Sequence, residues 1–98
     1  MDKKTILEEA HELTNGDRRD DYSHPLDDYT KTARIWSGIL THKLKEDITA
    51  EEAILMMAGM KLSREQFKHK RDNLVDAAGY INCVDMVIEE RERRENNE

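Results

Sequence analysis

The stretch from Thr49 to Arg64 constrains this chain most. Thr49-Ala50-Glu51-Glu52 places a glutamate three residues after a threonine, the capping box in which each side chain satisfies a backbone donor at a helix start. Behind it, Ala53-Ile54-Leu55-Met56-Met57-Ala58-Gly59-Met60 is apolar on nearly every side. A helix of that kind is expected to be central and covered by neighbours or by a partner subunit. Lys61 and Arg64 then continue its stripe. Two cations where a core should run on need an anionic partner, either within the protein or on a ligand.

Elsewhere glycine and proline are sparse and the apolar spacing is helical, so the expected fold class is all-α, a compact arrangement of one short and three longer helices. Ile6, Ala10 and Leu13 share a stripe of a first helix over about 4–13, stopped at Asn15-Gly16. Ser23-His24-Pro25 opens a second over about 25–44, with Leu26, Tyr29, Ala33, Trp36 and Leu40 on its core face. The capped third runs to about Phe67. The fourth starts near Asp72 and reaches 89–94, with Leu74, Ala77, Ala78, Ile81, Val84 and Ile88 facing the core. We expect one domain over 1–98, in which 1–21 form a peripheral helix and loop and 92–98 a frayed tail.

Composition narrows the function. Charged residues are 39% of the chain with both signs mixed and a net charge of −6, so no positive field favours a long nucleic acid. The lone Cys83 cannot form an intrachain disulfide and fits a reducing, cytoplasmic setting. No apolar run approaches the roughly 20 residues of a membrane span, and no secretion signal opens the chain. A phosphate-binding glycine loop, zinc spacing among His11, His24, His42, His69 and Cys83, and a serine nucleophile elbow are all missing. Met56, Met57, Met60 and Met86 read as packing.

The chemistry concentrates where the third and fourth helices meet. Lys61 and Arg64 project from one face, and Asp72 and Asp76 from one face of the next helix. Antiparallel packing is expected to bring the two pairs together, with Asn73, Asp76 and Tyr80 in line. Arginine offers a fork of donors for phosphate, lysine a point charge, and carboxylates can hold sugar hydroxyls, base edges or a divalent metal. The loop before the second helix supplies further lining, in Arg18, Arg19, Tyr22 and His24, beside a helix N-terminus suited to an anion. His24 could equally be a capping group, and Asp27 and Asp28 ordinary first-turn acids. The plainer alternative for the cluster is a buried ion pair of Lys61 or Arg64 with Asp76, capped by Tyr80.

The strings Asp21-Tyr22-Ser23-His24-Pro25-Leu26-Asp27-Asp28-Tyr29, Trp36-Ser37-Gly38, Met56-Met57, Lys61-Leu62-Ser63-Arg64 and Arg71-Asp72-Asn73-Leu74-Val75-Asp76-Ala77-Ala78-Gly79-Tyr80 resemble a family of small bacteriophage and prophage proteins of unassigned function. That family carries glycine where this chain has Ser23. It is in turn distantly similar to the MazG-like all-α nucleoside triphosphate pyrophosphohydrolases, which hold magnesium on acidic helix motifs. Against that pattern Asn73 stands where a glutamate is expected, and Lys61 and Arg64 replace an acidic pair.

Three functions follow as expectations. The leading one is binding of a phosphorylated nucleotide by Tyr22, His24, Lys61, Arg64, Asp72, Asn73, Asp76 and Tyr80 with no cofactor, for instance as a phage sponge that sequesters a nucleotide immune messenger of the host. The second is a magnesium-dependent MazG-like hydrolase, with Asp72 and Asp76, and Asp27 or Asp28, around the metal. The third is a structural or protein-interaction module. A homo-oligomer that buries Met56, Met60 or Trp36 is expected with either of the first two.

Overall fold

The computed structural model describes residues 3–16 and 22–97. Their regular structure is four helices: α1 Ile6–Asn15, α2 Pro25–Ile39, α3 Ala50–Phe67 and α4 Arg71–Asn96. The candidate lining residues Arg18 and Arg19 lie outside the described residues.

Local chemistry sets the helix starts. Thr5 and Thr49 both close full capping boxes, with Glu8 and Glu52 as the reciprocal partners. At α2 the cap is His24, whose Nδ1 accepts the Leu26 amide at 3.0 Å, with Pro25 in the first turn. α1 stops at Asn15 as its Asn-Gly pair indicates, but Gly16 has φ −105°, outside the left-handed region. What requires glycine there is proximity, since a Cβ would stand 2.7 Å from the Glu12 carbonyl oxygen. α2 is shorter than its expected 25–44. The chain turns back after Leu40 so that the Ile48 amide can donate to Ser37 Oγ at 2.8 Å, which a helix continuing to Leu44 would prevent.

α3 and α4 form an antiparallel pair, α2 lies across both, and α1 packs on α4. Ala50, Ile54, Ala58, Tyr80, Cys83, Val87 and Leu26 make the central cluster, with Ile54 and Val87 fully enclosed. α1 is tied to α4 by Asn82, which donates to the buried Thr14 Oγ1 at 2.8 Å, and by Arg71, which donates to Glu9 and to the Lys4 carbonyl.

Three expectations need correction. The buried stripe of α4 is Asn73, Tyr80, Cys83 and Val87 toward α2 and α3, with Val75 and Gly79 toward α1. Of the stripe expected to face the core, Val84 packs against the central cluster and Leu74, Ala77 and Ala78 are half-buried, whereas Ile81 and Ile88 look outward, 55% and 42% exposed. Two packed sides leave a third, and α4 is apolar on all three. Within one chain the neighbours do not cover α3 all round, because Leu55, Met56 and Leu62 are exposed, which leaves the partner subunit as the other expected cover. Finally, 92–96 do not fray: α4 stays helical through Asn96. Arg91 grips Glu51 at the start of α3, and Arg94 donates to both Asp27 oxygens at 2.8 Å, so charge pairs hold the last turns against the bundle. No described helix is long and apolar enough to cross a membrane.

Candidate functional site

The α3–α4 seam carries two polar features one helical turn apart. The first is an ion pair between Lys61 Nζ and Asp76 Oδ2 at 2.8 Å, with both side chains largely enclosed. The second is a cavity of about 190 Å³ whose lining includes Tyr22, Asp28, Tyr29, Met57, Tyr80 and Cys83. Lys61 follows Met57 by four residues and Asp76 precedes Tyr80 by four, so the antiparallel pairing puts the ion pair about 6 Å along the seam from the cavity floor.

Sequence folds these groups into place by simple means. Met57, Lys61 and Arg64 recur at helical spacing on α3, and Asn73, Asp76, Tyr80 and Cys83 do so on α4. Tyr29 on α2 meets Tyr80 edge to face, with ring centroids 6.5 Å apart. Ser23, at the cavity rim, has φ +66°, a left-handed conformation that favours glycine. The glycine that the resembling phage family carries at this position thus has a backbone reason, and Ser23 holds the same turn at some strain.

The expected site residues divide into two groups. Lys61 and Asp76 meet, and Tyr80 and Tyr22 share the cavity. Asn73 is buried and donates to Glu65 Oε1 at 3.3 Å. Arg64 and Asp72 are exposed and do not pair with each other, because each lies near its helix end where the seam opens. Among the described residues neither makes an ion pair. His24 serves as a cap, the plainer of its two expected roles.

Glu65 was not foreseen. It accepts from His69, the Lys70 amide at 2.9 Å and Asn73, and these donors, His69 first, hold its carboxyl below the usual range. Tyr29, expected only as core, also lines the cavity, as does Asp28, expected as a first-turn acid or, in the hydrolase alternative, beside the metal. The signal was available in the two tyrosines, since a phenol on an apolar stripe needs a polar outlet.

Among the described residues no three His, Cys, Asp or Glu side chains gather in a way that could hold a metal ion. Of the acids expected around magnesium, Asp27 pairs with Arg94 and Asp76 with Lys61, Asp72 is exposed, and Asp28 lines the cavity.

A four-helix domain with a small polar cavity on its central seam is the class that fold and site define. Within that class, residues 5–88 match the family model described as Domain of unknown function (DUF6378), and the chain belongs to that family. It is 35% identical to the Gene 55 protein of Mycobacterium phage D29 over 88 residues, covering 89% of this chain and 56% of the relative. The Gene 55 protein of Mycobacterium phage L5 is 31% identical over 91 residues, covering 91% of this chain and 56% of the relative. The chain therefore spans little more than half the length of these curated relatives, and its expected kinship with bacteriophage proteins stands. No solved structure matches the chain.

Proposed function

We propose that this domain binds a small phosphorylated nucleotide without cleaving it, with the base in the tyrosine-lined cavity and the phosphates along Lys61 and Arg64. The observation that supports it most is the juxtaposition of an aromatic cavity with a line of cations on one helix face. At about 190 Å³ the cavity is smaller than the roughly 300–1,000 Å³ that encloses a whole drug-sized ligand, so it suits one ring system with the rest outside. Asp28 offers a carboxylate to the exocyclic amine of a base, and Tyr29 and Tyr80 offer ring surface. Lys61, held by Asp76, and Arg64, one turn further and exposed, are then placed for successive phosphates.

Sequestration fits this donor set better than MazG-like hydrolysis. Of the carboxylates expected to hold magnesium, Asp27 and Asp76 are engaged by cations, Asp72 is open to solvent and Asp28 lines the cavity, and among the described residues they do not gather around one ion. In a phage setting, a binder that returns its ligand intact suits a sponge for a host nucleotide messenger.

The test is a thermal-shift panel of linear and cyclic nucleotides, with chromatography of each hit. A stabilising nucleotide recovered intact, with affinity lost in Lys61→Ala/Arg64→Ala, is the expected result. Pyrophosphate release that depends on magnesium and Asp76 would establish the hydrolase instead. Silence across the panel would return the cluster to a structural role in an interaction module.

A further inference from the structure

The chain exposes more surface than a monomer of its mass should. Its solvent-accessible area is 7342 Å² for 11.5 kDa, against about 5,800 Å² expected for a folded monomer of that mass. The radius of gyration is 14.9 Å, where about 13 Å is usual for this length. The excess of about 1,500 Å² per chain matches what each partner of an obligate dimer buries, roughly 1,000–2,500 Å².

Part of that surface is an outward apolar side of α4. The exposed Ile81 and Ile88 and the half-buried Leu74 recur every seven residues, with the half-buried Ala77 between them, the spacing of a helix seam. Ala77 and Ala78 are small enough to let a second helix approach to about 8 Å between axes. Leu55 and Leu62, also seven apart and exposed, lie at the levels of Ile81 and Leu74 in the register set by Lys61 opposite Asp76.

Charge chooses the occupant and its direction. Lys70 precedes the stripe, and Glu89 and Glu92 follow it, all three exposed. A parallel copy would set lysine on lysine and glutamate on glutamate. An antiparallel copy with its two-fold axis at Ile81 sets Leu74 on Ile88 and Lys70 on Glu92, since each pair is equidistant from residue 81. We infer that the outer stripe of α4 is the two-fold interface of a homodimer in which α4 pairs antiparallel with its copy, centred on Ile81. This interface is isologous, self-complementary in shape and charge, and independent of the nucleotide reading.

Sedimentation equilibrium of the full chain is expected to give twice the 11.5 kDa mass, falling to a single chain in Ile81→Glu with unchanged helical circular dichroism. Ile81 is exposed, so the variant still folds as a monomer. Register is read from two further variants. Under mild oxidation Ile81→Cys forms a disulfide-linked dimer, whereas Ile35→Cys on the exposed face of α2 does not, and the native Cys83 is buried. Lys70→Glu weakens the dimer about tenfold, and adding Glu92→Lys restores it. A single-chain mass at tens of micromolar, a dimer that survives Ile81→Glu, or equal cross-linking at 35 and 81 would each overturn the inference.

Discussion

The two ends of the α3–α4 pair are both charged, yet they use charge differently. At the end where α4 finishes, its three arginines are matched: Arg91 with Glu51, Arg94 with Asp27 and Glu90, and Arg93 with Glu90. At the other end Lys61 is matched by Asp76, Arg71 by Glu9 and His69 by Glu65, but Arg64 and Asp72 make no ion pair among the described residues, and the tyrosine-lined cavity lies further along the seam, one turn beyond Lys61. The difference teaches that a charged cluster is a clasp where its valences close among themselves, and a candidate binding site where they do not.

The largest effect that separates the ends is on ligand affinity. Lys61→Ala/Arg64→Ala is expected to weaken nucleotide binding about 100-fold, since each removes a charge-assisted hydrogen bond. Arg91→Ala/Arg94→Ala leaves it within about twofold, because those arginines are spent on the clasp. Titration calorimetry on both double variants checks this, and equal losses would erase the distinction.

Acid comes next. Arg93 and then Arg94 hold the Glu90 carboxyl at about 2, while Arg94 lowers that of Asp27 and Arg91 that of Glu51. A carboxylate whose value is lower folded than unfolded stabilises the protein fully above the unfolded value near 4, and that contribution disappears as pH falls through the folded value. Melting temperature should therefore stay level from roughly pH 7 to 5 and fall between about 4 and 2. Arg94→Ala should flatten that fall, and an unchanged acid slope would mean that the clasp does not hold the fold.

Arg91→Ala alone should destabilise by about 0.5–1 kcal/mol, discounted because the pair is partly exposed to solvent. Melting then drops by about 2–8 °C, as differential scanning calorimetry would read. The smallest change belongs to the cavity rim. Ser23→Gly should stabilise by about 0.5–1 kcal/mol, because relief of the left-handed serine exceeds the added chain entropy. A loss of stability there would mean that the Ser23 side chain is itself needed at the cavity rim.

Much of this contrast was legible in the sequence. Capping boxes, the Asn-Gly stop and the proline start fix helix boundaries through local hydrogen bonds, so Thr49 to Phe67 could be bounded without tertiary knowledge. The Lys61–Asp76 meeting followed from antiparallel packing at helical spacing. The face of α4 followed only in part, at Val84 but not at Ile81 or Ile88, because three of its sides are apolar and periodicity alone cannot say which neighbour takes which. Its last turns also misled, since a run of alternating charges reads as solvated until Asp27 and Glu51 are known to stand opposite. The cavity was hidden for a related reason: it needs α1, α2, α3 and α4 together, and only the placement of α2 brings Asp28 and Tyr29 to Tyr80.

The most direct test is a titration of the ¹⁵N-labelled protein with the best nucleotide from the panel, followed by amide resonances. The largest shifts are expected at Asp28, Met57, Lys61, Arg64 and Tyr80, with Asp27, Glu51, Arg91 and Arg94 unmoved. Shifts centred on the α4 C-terminal clasp, or none at saturating ligand, would contradict a nucleotide site on the α3–α4 seam.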